Sequence, residues 1–148
     1  MRPLLLALLT WALMTPLTSA ADRMQTFGQW DVHYMVLPTT MLSADVASAY
    51  GIQRANNRAF ANIAVMDNEA ESLTGMPSEI TGEYTNLVGQ TRELTFQQVV
   101  EGDAVYYIAE FRFPHRERLR FDIQFQPQGD PRGYTLTFEQ SIYQEGRP

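Results

Sequence analysis

The chain has 148 residues and a formal net charge of −6, and it contains neither cysteine nor lysine. Hydrophobic residues make up 45% and charged residues 19%, which is typical of one globular domain and excludes a disordered or low-complexity chain. This composition also excludes disulfides, thiolate metal sites and thiol or lysine nucleophiles, and the negative charge argues against nucleic acid as a partner.

The N-terminal segment has the pattern of a secretory signal peptide. Arg2 precedes an apolar stretch over residues 4–14, and small residues follow at 18–21. The stretch is shorter than the about 20 residues that span a bilayer, so a signal peptide is favoured over an anchor. We therefore expect residues 1–21 to be cleaved, after Ala20 or Ala21. The mature domain, 22–148, is expected in the periplasm without stable membrane insertion.

The first half of the mature chain predicts two strands separated by a short helix. Residues 27–37 and 59–66 alternate between apolar and polar, which is the period of a half-buried strand. Residues 43–50 predict the helix, because Ser43 suits its N-cap, Asp45 its first turn and Gly51 the left-handed position after its end. This helix is short and rich in alanine, so we expect it to pack on a sheet.

Strands dominate the chain from Glu79 onward. Residues 91–101 and 104–113 predict a hairpin with Gly102-Asp103 as its turn, in a register that sets Val100 opposite Val105. In the same register Leu94 faces Phe111 and Phe96 faces Ala109.

The following strand, 119–126, does not fit a simple hairpin with the strand 104–113. A five-residue loop would set Arg112 opposite Arg120, and like charges directly opposed are unfavourable. The strand is therefore expected to shift its register or to cross to a second sheet. A turn is predicted at 128–133, and a last strand follows it. Its inward-facing residues are Tyr134, Leu136, Phe138 and Ile142.

About seven short strands with turns at this spacing favour one architecture. We expect a mainly β, single-domain, two-sheet antiparallel β-sandwich of immunoglobulin-like type, with one short helix near 43–50. A small barrel is the alternative.

Few residues in the sequence suit catalysis. Only His33 and His115 are general bases near neutral pH, and no G-x-S-x-G motif is present. We therefore expect no catalytic residue and no cofactor, so a non-catalytic protein is favoured over an enzyme. An unrecognised envelope hydrolase remains an alternative.

His33 and Met35 are the candidate metal ligands. They share one strand face at i and i+2, and imidazole with thioether donors is a soft set that suits Cu(I). The competing interpretation is that methionines fill gaps in the core and that His33 is a hydrogen-bonded surface residue. Further thioethers are available from Met24, Met41, Met66 and Met76.

Residues 115–120 form a basic cluster on an otherwise acidic chain. Such a cluster suits a partner's acidic face, although short charge runs are commonly only solvated. Together with the segment 39–41 it is the predicted docking surface, which comprises Thr39, Thr40, Met41, His115, Arg116, Arg118 and Arg120.

Two stretches, Val32 to Val65 and Thr81 to Phe113, resemble a known family. Their most specific pieces are TNLVGQ at 85–90 and EGDAVYYI at 101–108. They are similar to the small exported bacterial proteins catalogued as domain of unknown function 4426, over nearly all of the mature chain. The resemblance implies a periplasmic β-rich domain, and no functional residue is carried over from it.

These observations favour a non-catalytic periplasmic protein that binds an envelope protein or component. A copper carrier that uses histidine and methionine ligands is the alternative.

Overall fold

The computed structural model describes residues 23–72 and 74–144, so the predicted signal peptide lies outside the described residues. Nine strands within them form two antiparallel sheets of five and four strands. The expected two-sheet sandwich is therefore confirmed, with two strands more than the seven predicted.

The five-stranded sheet, sheet A, has the order β1-β2-β3-β7-β6. Its strands are β1 Arg23–Phe27, β2 Trp30–Pro38, β3 Arg58–Asp67, β6 Gln97–Glu101 and β7 Ala104–Arg112. The four-stranded sheet, sheet B, has the order β5-β4-β8-β9. Its strands are β4 Ser78–Thr85, β5 Thr91–Leu94, β8 Arg116–Pro127 and β9 Tyr134–Tyr143.

The strand order is that of an immunoglobulin-like sandwich. The run β2-β3-β7-β6 corresponds to the order ABED, and β4-β8-β9 corresponds to CFG. β1 and β5 are additional edge strands. The expected topology is thus confirmed.

The core lies between the sheets and follows from the period-2 pattern. Phe121 and Phe138 stack there with ring centroids 4.9 Å apart, and Phe121, Ile63 and Leu136 are completely buried. The alternate residues of these strands lie on the outer faces of the sheets, where they face solvent or, on sheet A, a short helix. None of the helices in the described part of the chain is long and apolar enough to cross a membrane.

The helix α1, Ala44–Ala49, begins and ends as the sequence predicts. The Ser43 Oγ accepts a hydrogen bond from the Val46 amide at 3.2 Å, and Gly51 has a φ of +67°. Ala47 packs with Ile52 and Phe60 on the outer face of sheet A. A short 3-10 turn, Thr39–Met41, joins β2 to this helical segment.

The hairpin prediction is correct near its turn and wrong beyond it. Val100 lies opposite Val105 as expected, but β6 begins only at Gln97, and residues 91–94 pair with β4 of the other sheet. The physical reason for this difference is that Gly82 has no side chain and leaves a space beside it. A methyl group on Gly82 would lie 3.2 Å from the Phe96 ring and 3.0 Å from Ile123. Phe96 fills that space, so the chain crosses between sheets at 95–96.

One further boundary differs from the predictions. The sequence pattern assigned Phe27 to the following strand, whereas Phe27 ends β1 and lies opposite Trp30. Gly28, with a φ of +61°, forms the turn between them. The expected crossing of 119–126 is confirmed, because β8 belongs to sheet B and Arg120 lies opposite Thr85.

Candidate functional site

The outer face of sheet A gathers one histidine and three methionines. Trp30, Val32, Tyr34 and Val36 of β2 are buried in the core, so His33 and Met35 lie on the opposite face. Met24 of β1 and Ala64 of β3 stand directly opposite His33 on its two sides. Met66, two residues from Ala64, is therefore a diagonal neighbour of His33. We call Met24, His33, Met35 and Met66 the His/Met face.

A groove of about 280 Å³ runs along this face. Its lining includes His33, Met35 and Met66, together with Asn62, Ala64 and Tyr106. The small side chain of Ala64 leaves the space between His33 and Met66 open. The face is therefore a concave, mainly apolar surface that contains soft donor atoms.

Asn62 places a polar atom at the groove. It lies opposite Met35, and its side-chain oxygen is buried without a hydrogen-bond partner among the described residues. A buried acceptor without a partner costs about 1–3 kcal/mol, so such an atom favours a bound donor at this place.

Asp31 adds negative charge beside the groove. It lies two residues from His33 on the same face of β2, and Thr26 donates a hydrogen bond to its carboxylate at 2.7 Å. This bond, together with one from Asn68, lowers the pKa of Asp31. The carboxylate stays ionised across the physiological range, which favours a cation nearby.

The donor types restrict the metals that the face suits. Within residues 23–72 and 74–144, no group of three or more His, Cys, Asp and Glu could hold a metal ion. A metal at the His/Met face would therefore depend on thioether sulfurs. Imidazole and thioethers select soft ions such as Cu(I) over hard cations such as Ca²⁺.

Access to the face differs from one side to the other. Met24 on the edge strand is 51% exposed, whereas His33 and Met66 are half-buried. Met35 packs partly against the cluster beneath helix α1. The β1 side is thus the open side of the site.

Two of the further methionines that the sequence offers as metal ligands do not lie on the His/Met face. Met41 belongs to the 3-10 turn and is 58% exposed, and Met76 packs against the main core. Sequence reasoning overlooked Asn62, although the alternation of 59–66 sets Asn62, Ala64 and Met66 on one strand face.

Thr39 is not available for docking. It is completely buried, and its hydroxyl oxygen accepts a hydrogen bond from the Ala55 amide at 3.0 Å. The same hydroxyl lies 3.1 Å from the carbonyl oxygen of Arg58. This prediction is corrected, because Thr39 ties the 3-10 turn to the loop before β3. Thr40 is half-buried and Met41 is exposed.

The basic cluster is the start of strand β8, not a loop. Arg118 is paired with Glu139 at 2.6 Å and Arg120 with Asp122 at 3.3 Å. The Arg116 guanidinium lies over the Tyr143 ring, and His115 is half-buried just before the strand. The cluster belongs to sheet B, whereas residues 39–41 follow β2 of sheet A. The two predicted docking segments therefore do not share a sheet face.

The family of the chain follows from sequence comparison. The model of the family described as domain of unknown function DUF4426 matches residues 24–145, so the chain belongs to that family, as the resemblance indicated. A crystal structure of a DUF4426 family protein from Pseudomonas aeruginosa PAO1 is 31% identical, with a TM-score of 0.74. The match covers 86% of this chain and 98% of that protein.

More distant structures share the fold. FetP from uropathogenic E. coli strain F11, expressed in the periplasm of E. coli, is 13% identical with a TM-score of 0.62, over 83% of this chain and 94% of FetP. A copper-bound variant of FetP has 13% identity and a TM-score of 0.59, over 82% and 95%. At this identity the likeness concerns the fold alone. No curated protein matches the chain.

Proposed function

We propose that this member of the DUF4426 family is a non-catalytic periplasmic protein that binds Cu(I) at the His/Met face. One observation carries the proposal: the strand register surrounds His33 with Met24, Met35 and Met66 on a single sheet face. The signal-peptide pattern of residues 1–21 supports the location.

The donor set supports Cu(I) over other metals. A thioether is a neutral, soft ligand that binds divalent zinc and calcium poorly, and the face offers three of them beside one imidazole. The neighbouring Asp31 carboxylate supplies attraction for a monovalent cation. The half-buried position of His33 limits the number of waters that compete for the metal.

A protein of the same fold supports the proposal. FetP, which shares the sandwich at 13% identity, has been crystallised as a copper-bound variant. A sandwich of this architecture therefore accommodates copper in another protein. The ligands proposed here come from this chain's own register and not from that likeness.

An anaerobic Cu(I) titration of the mature chain, 22–148, against a chromophoric competitor tests the proposal. The expected result is saturable binding of one Cu(I) per chain. Replacing His33 with Ala, or Met35 or Met66 with Leu, should weaken binding by about tenfold or more, because each change removes one donor. Leucine keeps the volume and the hydrophobicity of methionine, so the fold should persist.

Met41→Leu is the matched control, since Met41 is exposed outside the His/Met face. Its affinity should equal that of the wild type. Absence of saturable binding, or equal losses in M41L and M66L, would contradict the proposal. Tighter binding of Zn²⁺ than of Cu(I) would contradict it as well.

A further inference from the structure

The turn between β4 and β5 exposes two neighbouring aliphatic side chains. Leu87 and Val88 are 81% and 80% exposed, more than any other large hydrophobic residue in the part of the chain that the structure describes. Scattered single hydrophobic residues are normal on protein surfaces, but an adjacent pair at the tip of a hairpin forms a protruding apolar point.

The tip is held rigidly by Asn86. The Asn86 Oδ1 accepts hydrogen bonds from the amides of Gln90 at 2.9 Å and Val88 at 3.2 Å. The Asn86 amide group donates to the Gln90 side chain at 2.8 Å. Gly89 takes the left-handed conformation that closes the turn, with a φ of +84°. An apolar tip fixed in this way loses little conformational entropy when it binds.

Arginines surround the base of the tip. Arg92 and Arg112 line a groove of about 400 Å³ with Asn86 and Gln90 at the foot of the hairpin. Both arginines are exposed, and neither forms an ion pair with a described carboxylate. Their charge is therefore available to a ligand. Glu117, also on the groove, is the acidic residue of this lining.

Charge is distributed unevenly along the sandwich. One end of the sandwich is called the arginine end. Strands β4 and β7 end there, and strands β5 and β8 begin there. Every described arginine except Arg23, which lies at the middle of the sandwich, and Arg132 lies in the half nearer to this end. The far end carries acidic residues that include Asp67, Glu69, Glu71, Asp103 and Asp130.

We propose that the arginine end docks onto an anionic phospholipid bilayer. Leu87 and Val88 enter the interface between headgroups and acyl chains, and Arg92 and Arg112 bind lipid phosphates behind them. The acidic far end points away from the negatively charged surface. The inference does not depend on metal binding, since the His/Met face lies on the outer side of sheet A.

The shape of the surface favours a bilayer over a protein partner. The tip is convex and only two residues wide, and a bilayer accepts such a point without a complementary pocket. Guanidinium groups at its base match phosphates at the depth of the headgroups. The contact is peripheral, consistent with the absence of a membrane-spanning helix among the described residues.

Co-sedimentation of the mature chain with vesicles tests the proposal. Vesicles of phosphatidylglycerol and phosphatidylcholine should bind the protein, and vesicles of phosphatidylcholine alone should bind it at least about tenfold less. The double variants L87S/V88S and R92Q/R112Q should each lower the partition coefficient by about tenfold or more.

Two substitutions at the far end provide matched controls. Val100→Ser removes an aliphatic side chain that is 61% exposed on β6, and Arg132→Gln removes an exposed arginine. Both should bind vesicles as the wild type does. The changed residues are exposed in all variants, so their melting temperatures should stay close to that of the wild type.

The variant Val88→Trp gives an independent readout. Its tryptophan emission, taken as the difference from the wild type, which contains Trp30, should shift to shorter wavelength with anionic vesicles. About 1 M salt should reverse the shift because the Debye length is then only ~3 Å. The proposal is overturned if anionic vesicles do not bind the chain or if L87S/V88S binds as the wild type does. Equal losses in V100S and L87S/V88S would also overturn it.

Discussion

The Trp30 indole donates a hydrogen bond to the Asp130 carboxylate at 2.9 Å and thereby joins the two sheets at their acidic end. The Tyr134 hydroxyl donates to the same carboxylate at 2.7 Å, and the Arg132 amide does so at 2.9 Å. These donors, led by Tyr134, hold the pKa of Asp130 well below its ordinary value.

The lowered pKa makes stability depend on pH in the acid range. The unfolded chain takes up a proton at Asp130 near pH 3.8, whereas the folded chain does so at lower pH. The stabilisation is therefore present above pH 3.8 and is lost as the pH falls. We expect Asp130→Asn to lower the melting temperature at pH 7 and to flatten its decline between about pH 4 and 2. Circular dichroism melts across this range check the prediction, and parallel curves for both proteins would contradict it.

Gly75 packs against the start of β7. A methyl group on it would lie 2.4 Å from the Val105 backbone nitrogen, and the Gly75 amide donates to the Asp103 carbonyl at 2.8 Å. Because backbone atoms cannot rotate away, we expect Gly75→Ala to lower the free energy of unfolding by about 1–3 kcal/mol or more. Gly133→Ala is the control, since nothing lies within 4 Å of its added methyl group. Urea denaturation should separate the two variants, and similar midpoints would contradict the packing described.

The alternation along β9 predicts opposite effects at neighbouring positions. Leu136 is completely buried, whereas Thr135 is exposed on the other face. Leu136→Ala should cost about 2–5 kcal/mol of unfolding free energy, because it leaves a cavity in the core. Thr135→Ala should change it by less than about 0.5 kcal/mol. Denaturant titration checks both values, and a larger effect at Thr135 would contradict the assigned register.

Proton competition distinguishes the donors of the His/Met face. Imidazole must be neutral to bind a metal, whereas thioethers do not take up protons. The Cu(I) affinity of the wild type should therefore fall as the pH is lowered. The residual affinity of His33→Ala should be much less dependent on pH. Competition titrations at several pH values measure this, and an equal slope in both proteins would exclude His33 as a ligand.

Local chemistry explains why some elements are predictable from the sequence. The Ser43 cap and the Gly51 stop act within a few residues, so the helix they bound is visible without any tertiary contact. The Gly102-Asp103 turn likewise determines the register at Val100. The alternation in β8 identifies its buried face, since one face of a sandwich strand always lies in the core.

Long-range packing explains why other predictions from the sequence were wrong. The crossing at 95–96 depends on the space beside Gly82, which is distant in sequence and filled by Phe96. The buried position of Thr39 depends in the same way on Ala55 and Arg58, so its polar side chain gave the misleading signal of an exposed loop. The His/Met face could be predicted only in part, because the sequence offers four further methionines beside His33 and Met35, and only the strand register selects Met24 and Met66.

X-ray absorption spectroscopy of the Cu(I)-loaded mature chain identifies the atoms bound to the metal. We expect a mixed first shell of sulfur scatterers and one imidazole nitrogen. Replacing Met66 with Leu should lower the sulfur contribution, and replacing His33 with Ala should remove the imidazole signal. A shell of nitrogen and oxygen alone, or a spectrum that neither substitution changes, would contradict Cu(I) binding at the His/Met face.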